Sequence, residues 1–156
     1  LPGIEDSAGK AFLAIGMEDI ACMDNLPVSY YNKVTEPSYI MVAESKNADL
    51  VGFCLINLVD KQPHIKELSV ALEYARQGIG NAIINQVCEE SIKRGYNFLT
   101  LTTFADVPFN APFYKKLDFK PLDKRKDWPE LFSLLQKEKD SPLKAYSRIA
   151  MIKRLS

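Results

Sequence analysis

Gly78 and Gly80 flank Ile79 in YARQGIGNAI, just after a strand-like run and just before an apolar helical pattern. A helix N-terminus presents unpaired N–H groups and positive dipole character, which together attract phosphate. Glycine there removes the Cβ atoms that would hold a diphosphate off the backbone, and Arg76 adds charge from the loop. The same pair of glycines can instead start a helix that packs closely on a sheet, and the loop alone leaves both readings open. A Walker loop is excluded, because no Gly-Lys-Ser/Thr follows. The dinucleotide fingerprint fails too: Ile83 stands at its third glycine position and no acid closes the next strand.

Other chemistry-bearing residues are few. His64 is the only histidine, which excludes a multi-histidine metal site, and no zinc spacing occurs. His64 and Glu67 share the run HIKELSV, while Asn110 and Tyr114 share NAPFYKKL. Cys22, Cys54 and Cys88 are odd in number and widely spaced, the pattern of buried, reduced thiols.

The elements that must position these groups follow from periodicity. IEDSAGKAFLAI and NLPVSYYNKVTE have helical spacing. SYIMVAE and LVGFCLINLV alternate as strands around SKNAD, a hairpin turn by its polar composition. HIKELSV is a further strand after Pro63. The helix opening at about Gly78 is expected to carry Ile79, Ala82, Ile83, Val87 and Ile92 on its apolar side and to stop at Gly95. YNFLTLTTF reads as a strand. Asn110 can cap a short helix, APFYKKL, with Pro112 in its first turn. FKPL is a short strand, WPELFSLLQKEKD a helix and YSRIAMIKRL a closing strand. The order specifies an α/β layout with a mixed sheet.

With 156 residues, 47% apolar and 26% charged, one soluble domain spanning 1–156 is expected. The formal net charge of zero gives no footprint for nucleic acid or an anionic membrane. No run approaches a membrane span and none resembles a secretory signal, so a cytoplasmic setting is expected. The chain opens on Leu1 rather than Met, as expected of a piece lying inside a longer gene product.

ELSVALEYARQGIGNAII, followed by LTLTTF and NAPFYKKLDF, resembles the acyl-CoA N-acyltransferase superfamily known as GNAT. The resemblance is strongest over 63–121 and weaker over 1–60, where VGF at 51–53 also fits. It implies a mostly antiparallel central sheet whose two central parallel strands splay apart, flanked by helices on both faces, in a single N-acetyltransferase domain. A first strand of that fold would have to precede Leu1. Two departures stand out. The family's polar first loop position is Ala75 here, with Arg76 one residue late, and Asp118 replaces the glycine that commonly ends the helix after the Asn-x-x-Phe-Tyr motif.

The resemblance implies transfer of an acetyl group from acetyl-CoA, as co-substrate and without a metal, to a primary amine of a small molecule or peptide. Attack would be direct, in a ternary complex. The backbone of Leu68, Ser69 and Val70 would pair with the pantetheine arm, and Arg76, Gln77, Gly78, Ile79, Gly80 and Asn81 would hold the diphosphate. Asn110 would reach the pantetheine, cap its helix, or do both. Tyr114 would protonate the departing thiolate, with Phe113 as packing. Glu67 or His64 would be the base; strict alternation sets them on opposite faces, and a bulge, frequent in this strand of the family, would bring them together. Tyr30, Tyr31 and Trp128 are acceptor-pocket candidates, with plain packing the stronger reading for each. A homodimer is compatible with the family, though no segment marks an interface. The alternative is a catalytically silent acyl-CoA-binding sensor or docking module.

Overall fold

The computed structural model describes residues 37–46, 49–74, 77–105, 107, 110–140 and 147–155. Six strands, β1 (Tyr39–Glu44), β2 (Leu50–Val59), β3 (Gln62–Val70), β4 (Phe98–Phe104), β5 (Lys120–Pro121) and β6 (Arg148–Arg154), form a sheet of order β1-β2-β3-β4-β6-β5. The described helices are α1 (Ile79–Lys93), α2 (Ala111–Lys115) and α3 (Pro129–Lys139), with a 3₁₀ turn at Leu72–Tyr74. The fold is thus the expected mixed α/β arrangement, mostly antiparallel with β3 and β4 parallel. The two expected N-terminal helices, Cys22, Tyr30, Tyr31, Ala75 and Arg76 lie outside the described residues. Among those described, no helix is long and apolar enough to cross a membrane.

The described residues form two compact units, one of 37–56 and 67–87, the other of 57–66 and 88–155. In the first, β1 pairs antiparallel with β2, Tyr39 opposite Ile56 and Ala43 opposite Gly52. The SKNAD turn closes through the Ser45 N–H donating to Asp49 O at 2.8 Å. Residues 51–56 of β2 are buried without interruption, so this strand is covered on both faces. Gly52 permits that coverage: a Cβ there would stand 3.2 Å from Ile83 Cδ1 on α1 and 3.2 Å from Ser69 O on β3.

The apolar stripe of α1 is rotated from the expected one. Ile83, Ile84, Val87, Cys88 and Ser91 are buried, whereas Ala82 is exposed and Ile92 is 44% exposed. The buried positions fall at i, i+1, i+4, i+5 and i+8, a tight 3.6-residue stripe. The expected set sat off its centre because sequence spacing alone does not fix which flank of an apolar sector meets the sheet. Gly95 ends the helix as expected, at φ 86, with its N–H on Ile92 O and the Tyr96 N–H on Ser91 O.

In the second unit β4 runs antiparallel to β6 along its whole length, Phe98 opposite Arg154 and Phe104 opposite Arg148. α3 covers this sheet, packing Leu131, Phe132 and Leu135 with Val59, Leu122, Trp128 and Ala150. Each such fully buried apolar side chain contributes about 1.5–3 kcal/mol. Trp128 meets Phe98 edge to face at 5.6 Å, so packing accounts for its burial. FKPL shrinks to the two residues of β5, paired with Ile152 and Met151 at the sheet edge, where a proline is tolerated.

β2 and β3 are joined by Asp60 and Lys61, both left-handed at φ 52 and 64, which is a two-residue hairpin turn without glycine. Asp60 also does distant work. Its Oδ1 and Oδ2 accept from the N–H groups of Glu130 and Leu131 at 3.0 and 2.8 Å, and its own N–H donates to Glu130 Oε2 at 2.8 Å. This is a capping box assembled from two parts of the chain, supplied where Trp128, at the N-cap position of α3, offers no side-chain acceptor.

Candidate active site

β3 carries most of the candidate residues. Just past its end, the Ala71 N–H donates to Val51 O of β2 at 2.9 Å. Toward β4, the registered parallel pairs are His64 with Thr100 and Ile65 with Leu101.

In the first unit, Glu67 is half-buried and its Oε1 accepts from the Ser69 hydroxyl at 2.8 Å. Ser69 is 5% exposed, while Leu68 and Val70 are half-buried. Beyond the 3₁₀ turn the chain enters α1 through Gln77 and Gly78, both exposed. Gly78 adopts φ 79, and nothing lies within 4 Å of where its Cβ would be. Glycine is therefore favoured by backbone conformation rather than by crowding. The first helical bond is from the Ala82 N–H to Gly78 O at 3.0 Å. The N–H groups of Ile79, Gly80 and Asn81 precede it, in the first turn, where helix amides lack intrahelical acceptors. Asn81 is exposed and its Oδ1 accepts from Asn85 Nδ2 at 3.2 Å.

The second unit holds His64, Asn110 and Tyr114. His64 is 2% exposed, with Nδ1 2.9 Å from Thr100 Oγ1. Burial foremost, with Lys66 adding repulsion, lowers its pKa from 6.5 to about 4, so the ring is neutral at pH 7. Asn110 stands at the N-cap position of α2, but its side chain makes no capping bond. Of the two tasks expected of Asn110, capping of α2 by its side chain is not found. Asn110 sits at φ −115 and ψ −109, and its Nδ2 is buried with no hydrogen-bond partner among the described residues. Tyr114 is buried, its ring edge to face with Phe113 at 5.1 Å and with Phe119 at 5.5 Å.

α2 ends through Asp118 at φ 70, whose N–H donates to Lys115 O while the Phe119 N–H donates to Tyr114 O. Aspartate here performs the left-handed step that Gly95 performs for α1. The thiols of Cys54 and Cys88 are buried, and burial pushes Cys88 up, away from the nucleophilic thiolate. Among the described residues no group of three His, Cys, Asp or Glu is placed to hold a metal.

Two side-chain partnerships add to the expected roles: Ser69, expected to act through its backbone, bonds Glu67 by its hydroxyl, and Thr100, not among the expected site residues, bonds His64. The Ser69 hydroxyl had a signal, since Glu-x-Ser on a strand puts both side chains on one face. Thr100 had none, because its partnership with His64 depends on the parallel register.

The chain matches the Acetyltransferase (GNAT) family over residues 12–119 and belongs to that family. Similar solved structures agree in fold. The ribosomal-protein-S18-alanine N-acetyltransferase of Escherichia coli is 16% identical, with a TM-score of 0.64 over 86% of this chain and 80% of that one. An aminoglycoside 6'-N-acetyltransferase complexed with coenzyme A is 16% identical, with a TM-score of 0.57 over 100% of this chain and 93% of that one. N-acetylglutamate synthase from Neisseria gonorrhoeae, complexed with coenzyme A and N-acetyl-glutamate, is 13% identical, with a TM-score of 0.68 over 100% of this chain and 33% of that one.

Proposed function

We propose that this chain transfers an acetyl group from acetyl-CoA to a primary amine of a small molecule or peptide, by direct attack in a ternary complex. The observation that carries the reading is the entry to α1, where Gly78, at φ 79 and with nothing within 4 Å of where its Cβ would be, leads into the first-turn amides of Ile79, Gly80 and Asn81. These are the groups that favour a diphosphate. The buried, unpartnered Asn110 Nδ2 supports it, being a donor suited to an amide carbonyl of the pantetheine arm. The coenzyme A held by solved relatives supports it as well.

The proposed roles follow from the chemistry. The backbone of Leu68–Val70 pairs with the pantetheine arm, and residues 76–81 hold the diphosphate. Glu67 takes the amine proton, directly or through water, as the nitrogen–carbon bond forms and the carbon–sulfur bond breaks. Tyr114 protonates the departing thiolate. Between the two base candidates the burial of His64, and its pKa of about 4, favours Glu67. We propose that residues 1–156 act as one N-acetyltransferase domain in the cytoplasm, alone or as a homodimer, with neither nucleic acid nor membrane as a partner. The zero net charge speaks for an acceptor that is not a polycation.

Transfer of labelled acetyl from acetyl-CoA to a panel of amines (a simple alkylamine, a polyamine, an aminoglycoside and an alanyl peptide) tests this. Label is expected on at least one amine, with kcat reduced by Tyr114→Phe and acetyl-CoA affinity kept. Binding of acetyl-CoA without transfer to any amine would favour a silent sensor or docking module instead.

A further inference from the structure

We infer that the side chain of Ser69 positions the Glu67 carboxylate for proton removal, a role that rests on the assignment of Glu67 as the base. The two residues are two apart on an extended strand, so their side chains share one face of β3. The Ser69 hydroxyl donates to Glu67 Oε1 at 2.8 Å. Ser69 is itself 5% exposed, so its hydroxyl is nearly cut off from bulk water and must find its acceptor within the protein. The acceptor it finds is the carboxylate.

The donor stands on a fixed platform. β2 approaches Ser69 so closely that any Cβ at Gly52 would stand 3.2 Å from Ser69 O. A buried serine anchored by its own backbone therefore restrains a longer, half-buried glutamate with three rotatable bonds. Hydrogen bonds to an ionised acceptor are stronger than those between neutral groups, and they fix direction. A base held this way has its rotamer set before the amine arrives. The pantetheine contacts proposed for residues 68–70 run through the backbone, so the Ser69 hydroxyl is available for this second task, and Ser69→Ala removes it while leaving those contacts in place.

The test uses the amine of the panel above that is acetylated fastest, with steady-state kinetics for Ser69→Ala, Ser69→Thr, Glu67→Gln and the double variant Glu67→Gln/Ser69→Ala. Ser69→Ala is expected to lower kcat about tenfold, the scale of a hydrogen bond to a charged group, with KM for acetyl-CoA unchanged. Ser69→Thr keeps a hydroxyl and suits a strand, and it should recover most of the rate. The double variant should be no slower than Glu67→Gln alone, because the hydroxyl then has no carboxylate to position. Three results overturn the inference while leaving Glu67 as base: wild-type kcat in Ser69→Ala, a loss confined to KM for acetyl-CoA, or a further drop in the double variant. Wild-type kcat in Glu67→Gln instead removes the base assignment and this inference with it, as does acetylation of none of the amines.

Discussion

Replacing His64 by glutamine is expected to make the fold less sensitive to acid. The native imidazole is buried and takes up a proton only near pH 4, against 6.5 for the free side chain. Between those values the unfolded chain binds more protons than the native one, so stability falls as pH drops through this window. A tenfold gap in proton affinity is worth about 1.4 kcal/mol, and the interval from 6.5 to about 4 converts to about 3 kcal/mol at full protonation. By pH 5 about 2 kcal/mol of this is already lost relative to pH 7. For a chain of this size that corresponds to about 4–8 °C in Tm. The assay is urea unfolding of both proteins at pH 7 and pH 5, comparing the two pH-dependent differences so that the carboxylates common to both cancel. Glutamine keeps a polar group near Thr100 Oγ1 but does not titrate in this range. The difference should shrink by about 2 kcal/mol in His64→Gln. Equal pH dependence in the two proteins would refute the claim that burial holds His64 neutral.

Two stability effects follow from left-handed residues. Asp60→Ala removes two acceptors from the first-turn N–H groups of α3 and should cost about 1–2 kcal/mol in urea unfolding, whereas Asp60→Asn should cost less than half of that. Asp118→Gly relieves a side chain held at φ 70 and should raise stability by about 1 kcal/mol; a loss of similar size would show that the Asp118 side chain contributes something its backbone conformation does not reveal.

Elements whose cause is local were legible in the sequence. The strands flanking SKNAD, the stop at Gly95 and the short helix with Pro112 in its first turn each depend on residues within a few positions of one another, and each is found. The motif residues of the candidate site were legible for the same reason, as glycine loop, helix and Asn-x-x-Phe-Tyr follow one another at short range. What depends on tertiary approach was not. The buried stripe of α1 turned toward Ile84, Cys88 and Ser91 because the sheet decides which flank is covered. The turn at Asp60 and Lys61 lacks the glycine that marks such turns, and Asp60 is held there partly by bonds to a helix 70 residues away in sequence. Asn110 read as a pantetheine contact, a helix cap, or both, and only the structure shows that its side chain makes no capping bond. The neutral state of His64 likewise depends foremost on its burial, which no local pattern announces.

The most direct test of the account is the thermal midpoint of the purified chain with acetyl-CoA, CoA, ATP and NAD in parallel. A ligand that binds only the folded state stabilises it by about 2.7 kcal/mol at a hundredfold excess over its Kd. If the Gly78–Asn81 turn cradles the diphosphate of a CoA thioester, acetyl-CoA and CoA should each raise the midpoint by several degrees, with ATP and NAD well behind. A midpoint unmoved by acetyl-CoA and CoA, or raised more by ATP or NAD, would contradict it.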